Sequence, residues 1–238
     1  MGLSKYFTVK VKPTITASLQ TGVFTAGDVV WDWTSFEVPK GTNRIIGATL
    51  MVRGTNGTGA ATNQAGFEIY FASTNDNSLG TLNATANGTG YYNDLIGYID
   101  FAVSDYGDHL DNMAVADSAS RRNVLIPKTP EVNKAGYDTF YVGGISITSS
   151  LPSWISTVTC TGVQPITQAV LTVGTTSALT NFAVGDVLHD EDDRLMGTVK
   201  SMDSATQMTM EDNLANATVN AKDLYNINPI TLLLHFEV

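Results

Sequence analysis

The densest group of ionisable side chains lies in Gly185–Met202, GDVLHDEDDRLMGTVKSM, where His189 is followed by Asp190, Glu191, Asp192 and Asp193. Carboxylates beside an imidazole are side chains that hold divalent cations. An EF-hand loop, however, needs oxygen ligands at alternate positions, a central Gly and a Glu at the twelfth position. Neither Asp186 nor Asp190 as its first residue satisfies that spacing. His189 has no second His at metal-ligand spacing. Consecutive residues of an extended chain point to opposite sides, so these acids do not converge on one ion. The stretch therefore reads as a solvent-facing turn between two strands, with its charges fanned outward. A weak Ca²⁺ contact and a salt contact with a basic neighbouring subunit are the alternatives.

The other groups able to do chemistry are scattered. His109 in SDYGDHLDN lies near Asp105, Asp108 and Asp111, which imitates a His–carboxylate pair but reads as a polar loop. His235 alternates with Leu234 and Phe236, as a strand residue facing solvent or a subunit interface does. GTNGTG at Gly54–Gly59 lacks the following helix and Lys that a phosphate cradle requires. No G-x-S-x-G elbow and no Walker loop occurs. The single cysteine, Cys160, sits among alternating polar residues in STVTCTGV and reads as a small buried hydrophobe; it also rules out an internal disulfide. The motifs thus give no catalytic, metal or cofactor signature, and the chain reads as a non-enzyme; two carboxylates far apart in sequence, paired for glycoside hydrolysis, are the open alternative.

Aromatic residues are the remaining candidates. Trp31 and Trp33 are two positions apart and are expected on one strand face, and Tyr91 and Tyr92 are adjacent. Exposed rings there would stack on a sugar, the reading of a carbohydrate-binding surface. A core or subunit contact is the plainer reading. Trp31, Trp33, Tyr91 and Tyr92, with the acidic residues Asp190–Asp193, make up the candidate interaction surface.

These residues sit on a pattern of short strands. Phe7, Val9 and Val11 alternate with Thr8, Lys10 and Lys12, a half-buried strand ended by Pro13. GDVVWDWTSFEVPKGTNRIIGATLMVRG reads as two strands joined by a turn at Pro39–Asn43. GFEIYFAST, Leu95–Val103, Thr139–Ile147 and ISTVTCTGV supply further strands. Asn75–Gly90 is a polar loop long enough to touch something. Asp105–Arg122 is expected to be a helical or irregular excursion. From Gln164 to Ile227 five short strands follow with turns every few positions, the signature of a small barrel of the SH3 or OB sort. NPITLLLHFEV at the end is an apolar strand that must pair elsewhere. The organisation expected is an all-β chain: a larger β domain from residues 1–163 plus 228–238, with residues 164–227 inserted as a small β-barrel.

Composition agrees with an all-β fold. The 238 residues are 43% hydrophobic and only 15% charged, and Thr, Asn, Gly and Ser are abundant. A net charge of −10 repels phosphate backbones and argues against nucleic acid as a partner. No segment approaches a membrane span, and the first residues lack the uninterrupted apolar run of a signal peptide. The Asn-x-Thr sequons at Asn56, Asn83, Asn87 and Asn216 then read as loops, and the chain as one made and kept in a cytoplasm.

The segment Val170–Ile227 carries a resemblance. It runs strand, Phe-x-Val-Gly-Asp-x-Leu at Phe182–Leu188, turn, Gly-Thr-Val-x-Ser-Met-Asp-Ser-Ala-Thr at Gly197–Thr206, alternating strand and Asn-Ala. In that order it resembles a recurring module of tailed-bacteriophage structural proteins, particularly those of cyanobacterial phages. The likeness covers about a quarter of the chain and rests on strand order and turn residues. The remainder, residues 1–163 plus 228–238, Asn/Thr/Gly-rich with long loops, resembles the jelly-roll domains of virion proteins, which implies a jelly-roll-like β-sandwich there. It implies a virion structural protein made in the host cytoplasm, most simply a capsid decoration (cement) protein on the capsid surface. Its expected partners are the major capsid protein or other virion proteins, and its expected state is a homotrimer. A tail or fibre component is the alternative placement, and a carbohydrate-binding surface adhesin the alternative class.

Overall fold

The computed structural model describes residues 6–42, 44–53, 64–107, 113–118, 124–126, 136–148, 154, 156, 158–174 and 178–238. In chain order the first strands are β1 (Tyr6–Val11), β2 (Val29–Pro39), β3 (Arg44–Val52), β4 (Phe67–Ala72) and β5 (Leu95–Phe101). Then come β6 (Tyr106–Gly107), β7 (Ala114–Asp117), β8 (Val124–Leu125) and β9 (Tyr137–Ser146). After them follow β10 (Val170–Thr172), β11 (Val187–Asp190), β12 (Leu195–Ser204), β13 (Gln207–Met210), β14 (Leu224–Asn226) and β15 (Ile230–Glu237). Two α-helices of one turn, α1 (Ala17–Gln20) and α2 (Ala178–Asn181), and two 3-10 turns, Gly88–Tyr92 and Val103–Asp105, complete the set among the described residues. The protein is all-β, in three antiparallel sheets.

The first sheet has the order β1-β15-β3-β7-β6, with β8 pairing the start of β3. The second has the order β2-β9-β4-β5. Strict alternation drives their packing. In β15, Ile230, Leu232, Leu234 and Phe236 are fully buried, while Thr231, Leu233, His235 and Glu237 face the other way. The inward row meets the second sheet through Phe236, whose ring lies 6.1 Å from that of Phe36 on β2; Phe36 also touches Phe71 and Phe140. One core therefore fills the space between the two sheets.

Of the stretch 105–122, expected to be a helical or irregular excursion, 108–112 and 119–122 lie outside the described residues, and the rest includes the strands β6 and β7. Ala114 and Ala116 alternate into the core, and β7 pairs with β3. The loop 75–90 touches the outer face of the second sheet, where Leu79, Leu82 and Ala86 pack against Val29, Trp33 and Tyr70.

The third sheet, β10-β13-β12-β11-β14, packs a second core that includes Leu171, Phe182, Leu188, Val199, Met208 and Met210. Thr159 bridges Asp223 next to one edge strand, and Cys160 bridges Val173 next to the other. The chain then returns to the first sheet, where β15 lies between β1 and β3. A polar seam joins the two cores. Gln20 Nε2 donates to the carbonyls of Ile15 and Asn226, at 2.8 and 2.7 Å. Arg53, next to the end of β3, makes a bidentate ion pair with Asp186, which also accepts the Ala183 N–H at 2.8 Å. Burial pushes the Asp186 carboxyl above its ordinary range, and Arg53 pulls it back down.

Candidate functional site

The acidic turn is a joint rather than an outward fan. β11 alternates, so Leu188 and Asp190 point inward together, and Asp190 is only 1% exposed. Its Oδ1 accepts the backbone N–H groups of Asp192 and Arg194 at 3.1 and 2.9 Å, and its Oδ2 takes Arg194 Nε at 2.8 Å. A buried carboxylate thus closes the hairpin and holds its own counter-ion four residues on. Glu191 and Asp192 both reach Lys222. Asp193, at φ +61°, extends its Oδ1 to the N–H of Ala17 at 2.5 Å, the first residue of α1 in the other unit. Asp190 is spent on donors of its own hairpin and Asp193 on Ala17, while Glu191 and Asp192, 34% and 54% exposed, share Lys222 and keep the solvent-facing side expected of the turn. Among the described residues no three His, Cys, Asp or Glu side chains group as metal ligands. The signal for Asp190 was the period of two in VLHD; the partners Lys222 and Ala17 had none, being distant in sequence.

The aromatic candidates are also dispersed. Strand alternation places Trp31 and Trp33 on one face, but β2 bulges against β9, with register shifts on either side of Trp31. Val30 and Trp31 both enter the main core, and Trp33 passes to the opposite face, where its Nε1 donates to the Asn77 carbonyl at 2.9 Å. The Trp31 ring lies flat on Gly144, whose missing Cβ would sit 2.2 Å from it. Trp31 is therefore a core plug, not a platform. Tyr92 is 78% exposed; the side chain of Tyr91 lies outside the described residues, as do His109 and the loop Gly54–Gly59. Cys160 is buried, and burial together with the nearby Asp190 pushes its thiol up to about 12.

The outer face of the first sheet carries a site that sequence reading did not assemble. The outward positions of β1, β15, β3 and β7 line a groove of about 890 Å³. Register places Thr8 beside His235, His235 beside Gly47, and Thr49 beside Asp117. Thr49 Oγ1 donates to Asp117 Oδ1 at 2.5 Å, so it accepts from His235 Nε2, 3.2 Å away. His235 Nδ1 then accepts the Thr8 hydroxyl at 3.0 Å. This order assigns the imidazole tautomer. In a hydrolytic triad the carboxylate lies on the imidazole itself. Here a threonine hydroxyl stands between them, an arrangement that fixes the ring. Arg44 and Glu237 pair at 2.5 Å at one end, and Tyr6, 66% exposed, stands beside them. Only His235 had a visible signal, its place in an alternating strand.

No family model matches the chain, and no curated protein matches it. A match among solved structures is to a serine protease of Aeromonas sobria, at 8% identity and a TM-score of 0.23, covering 99% of this chain and 28% of that one. A likeness of that size carries neither a fold nor an activity. Among the described residues no helix is long and apolar enough to cross a membrane.

Proposed function

We propose that the protein is a non-enzymatic virion structural protein of the tailed-phage type, a capsid decoration protein that binds the assembled shell and bridges capsomers. In this reading the two facing sheets form a jelly-roll-like sandwich. The third sheet is a small barrel of the SH3 or OB sort, a reading supported by the bridges from Thr159 and Cys160 to both of its sides. The observation that carries the proposal is how the acidic turn is used. Asp190, Glu191, Asp192 and Asp193 tie one unit together and dock it on the other, as a load-spreading part requires and a catalytic centre does not. The order of strands and turns in Val170–Ile227 supports the same class. Binding across several subunits would stabilise the shell by mass action, and a closed oligomer such as a trimer would contact several capsomers together.

The test is to ask whether the protein copurifies with assembled particles in stoichiometric amounts and raises the temperature at which shells release their contents. A monomer in sedimentation that fails to bind procapsids would sink the proposal.

A further inference from the structure

We infer that the groove on the outer face of the first sheet is a binding site for a neutral oligosaccharide. The inference is independent of the virion role. Its size falls in the range of small-ligand sites, about 300–1,000 Å³. The groove exists because Gly47 faces His235: a side chain there would stand between His235 and Ser118, which lie 3.8 Å from the position of the missing Cβ. The floor is held in place rather than mobile, since the Thr8–His235–Thr49–Asp117 chain satisfies both ring nitrogens.

The free valences select the ligand. Asp117 accepts Thr49 with Oδ1, which leaves Oδ2 to accept from a ligand. Arg44 uses Nε and Nη2 on Glu237, which leaves Nη1 to donate. The Ser118 oxygen accepts the Ala48 N–H at 3.3 Å, which leaves its hydroxyl proton. Tyr6 offers a ring and a phenol to solvent. An anion drawn to Arg44 meets Glu237 beside it; an ammonium drawn to Asp117 makes no use of the Arg44 end, five residues along β3. A sugar hydroxyl both donates and accepts, so it uses both ends of the groove without an electrostatic penalty. The C–H face of a pyranose packs on an exposed aromatic ring. Acceptor, donor and ring lie on β7, β3 and β1, spread across a width of four strands, so a ligand spanning them is longer than one sugar unit.

The test is calorimetric titration of the full chain with maltotriose, cellotriose and tri-N-acetylchitotriose, up to about 10 mM because such sites are weak. Inorganic phosphate and free lysine are the charged control arms. At least one trisaccharide is expected to saturate, with affinity falling at least tenfold in Tyr6→Ala and several-fold in Asp117→Asn. Tyr6 is exposed and an Asn still accepts from Thr49, so both variants are expected to melt as the parent does. Melting curves of the same samples check this, and Gly47→Ala, which fills the floor without a clash, is the third arm. Saturation by no trisaccharide, saturation by phosphate or lysine instead, or sugar binding that survives all three substitutions would each overturn the inference.

Discussion

Breaking the Arg53–Asp186 pair from the two sides should give unequal costs. Asp186 is 9% exposed and Arg53 22% exposed. In Arg53→Met the carboxylate stays buried, keeps only the Ala183 N–H and loses its counter-ion. Removing one member of a buried pair costs about 3–5 kcal/mol, and water reaching the Arg53 side lowers this to about 2–3 kcal/mol. In Asp186→Asn the amide oxygen still accepts from Ala183, and the guanidinium can turn toward water. The cost there is about 1 kcal/mol. At this chain length each kcal/mol moves the melting temperature by about 2–4 °C, so Arg53→Met should melt about 5–10 °C below the parent. The double variant should recover most of that loss.

The pH dependence gives a second readout. The folded-state pKa of Asp186 is raised above its unfolded value, with burial the largest cause. A group raised in this way contributes stability that is fully present below its unfolded pKa, about 4, and lost as pH rises through the folded value. Loss of Arg53 removes the contact that holds that value down, so the deficit of Arg53→Met should shrink from pH 8 toward pH 4. Urea unfolding of the four proteins at both pH values measures this. An Arg53→Met cost no larger than that of Asp186→Asn, or one equal at both pH values, would refute the argument.

Three other substitutions and one chemical treatment follow from the same structure. Gly144→Ala would place a methyl inside the Trp31 ring, so it should cost about 3 kcal/mol or more by overpacking, read as a collapse of soluble yield or melting temperature. Asp190→Ala should cost about 2–3 kcal/mol in urea unfolding because it takes the acceptor from two turn N–H groups and the counter-ion from Arg194, whereas Asp192→Ala, at an exposed position, should stay within about 0.5 kcal/mol. With its thiol pushed up to about 12, Cys160 should show a thiolate fraction on the order of one in ten thousand at pH 8; native protein should resist a thiol reagent that labels the urea-unfolded chain fully.

The parts legible in the sequence are those that a local period encodes. Ile230, Leu232, Leu234 and Phe236 give the last strand and its buried face, and Phe67, Ile69 and Phe71 give another. Where a bulge interrupts the period, the sequence reading goes astray. Trp31 and Trp33 are assigned to one face and lie on two, because the extra residue in β2 is fixed by its pairing with β9 and by the space over Gly144. Asp105–Arg122 reads as an excursion because its Ala-rich stretch has no intrinsic strand preference; pairing with β3 supplies it. The groove had no local trace at all. Tyr6, Arg44, Asp117 and His235 meet only through the order of the first sheet, with β15 placed between β1 and β3.

The seam between the two units is polar, and this choice has a physical consequence. Apolar burial stabilises contact in proportion to area but is not directional. A carboxylate oxygen on the Ala17 N–H, an amide shared between the Ile15 and Asn226 carbonyls, and a bidentate guanidinium on Asp186 each hold only over a narrow range of angles. Three such contacts at separate points define an orientation, where an apolar patch of equal strength would permit sliding. Each also carries a desolvation cost that an apolar contact lacks. The seam thus trades stability for a fixed angle between the second unit and the first sheet. Any surface that one unit presents is thereby set relative to any surface of the other, and substitutions at Arg53 or Asp193 should loosen that angle before they disturb either core.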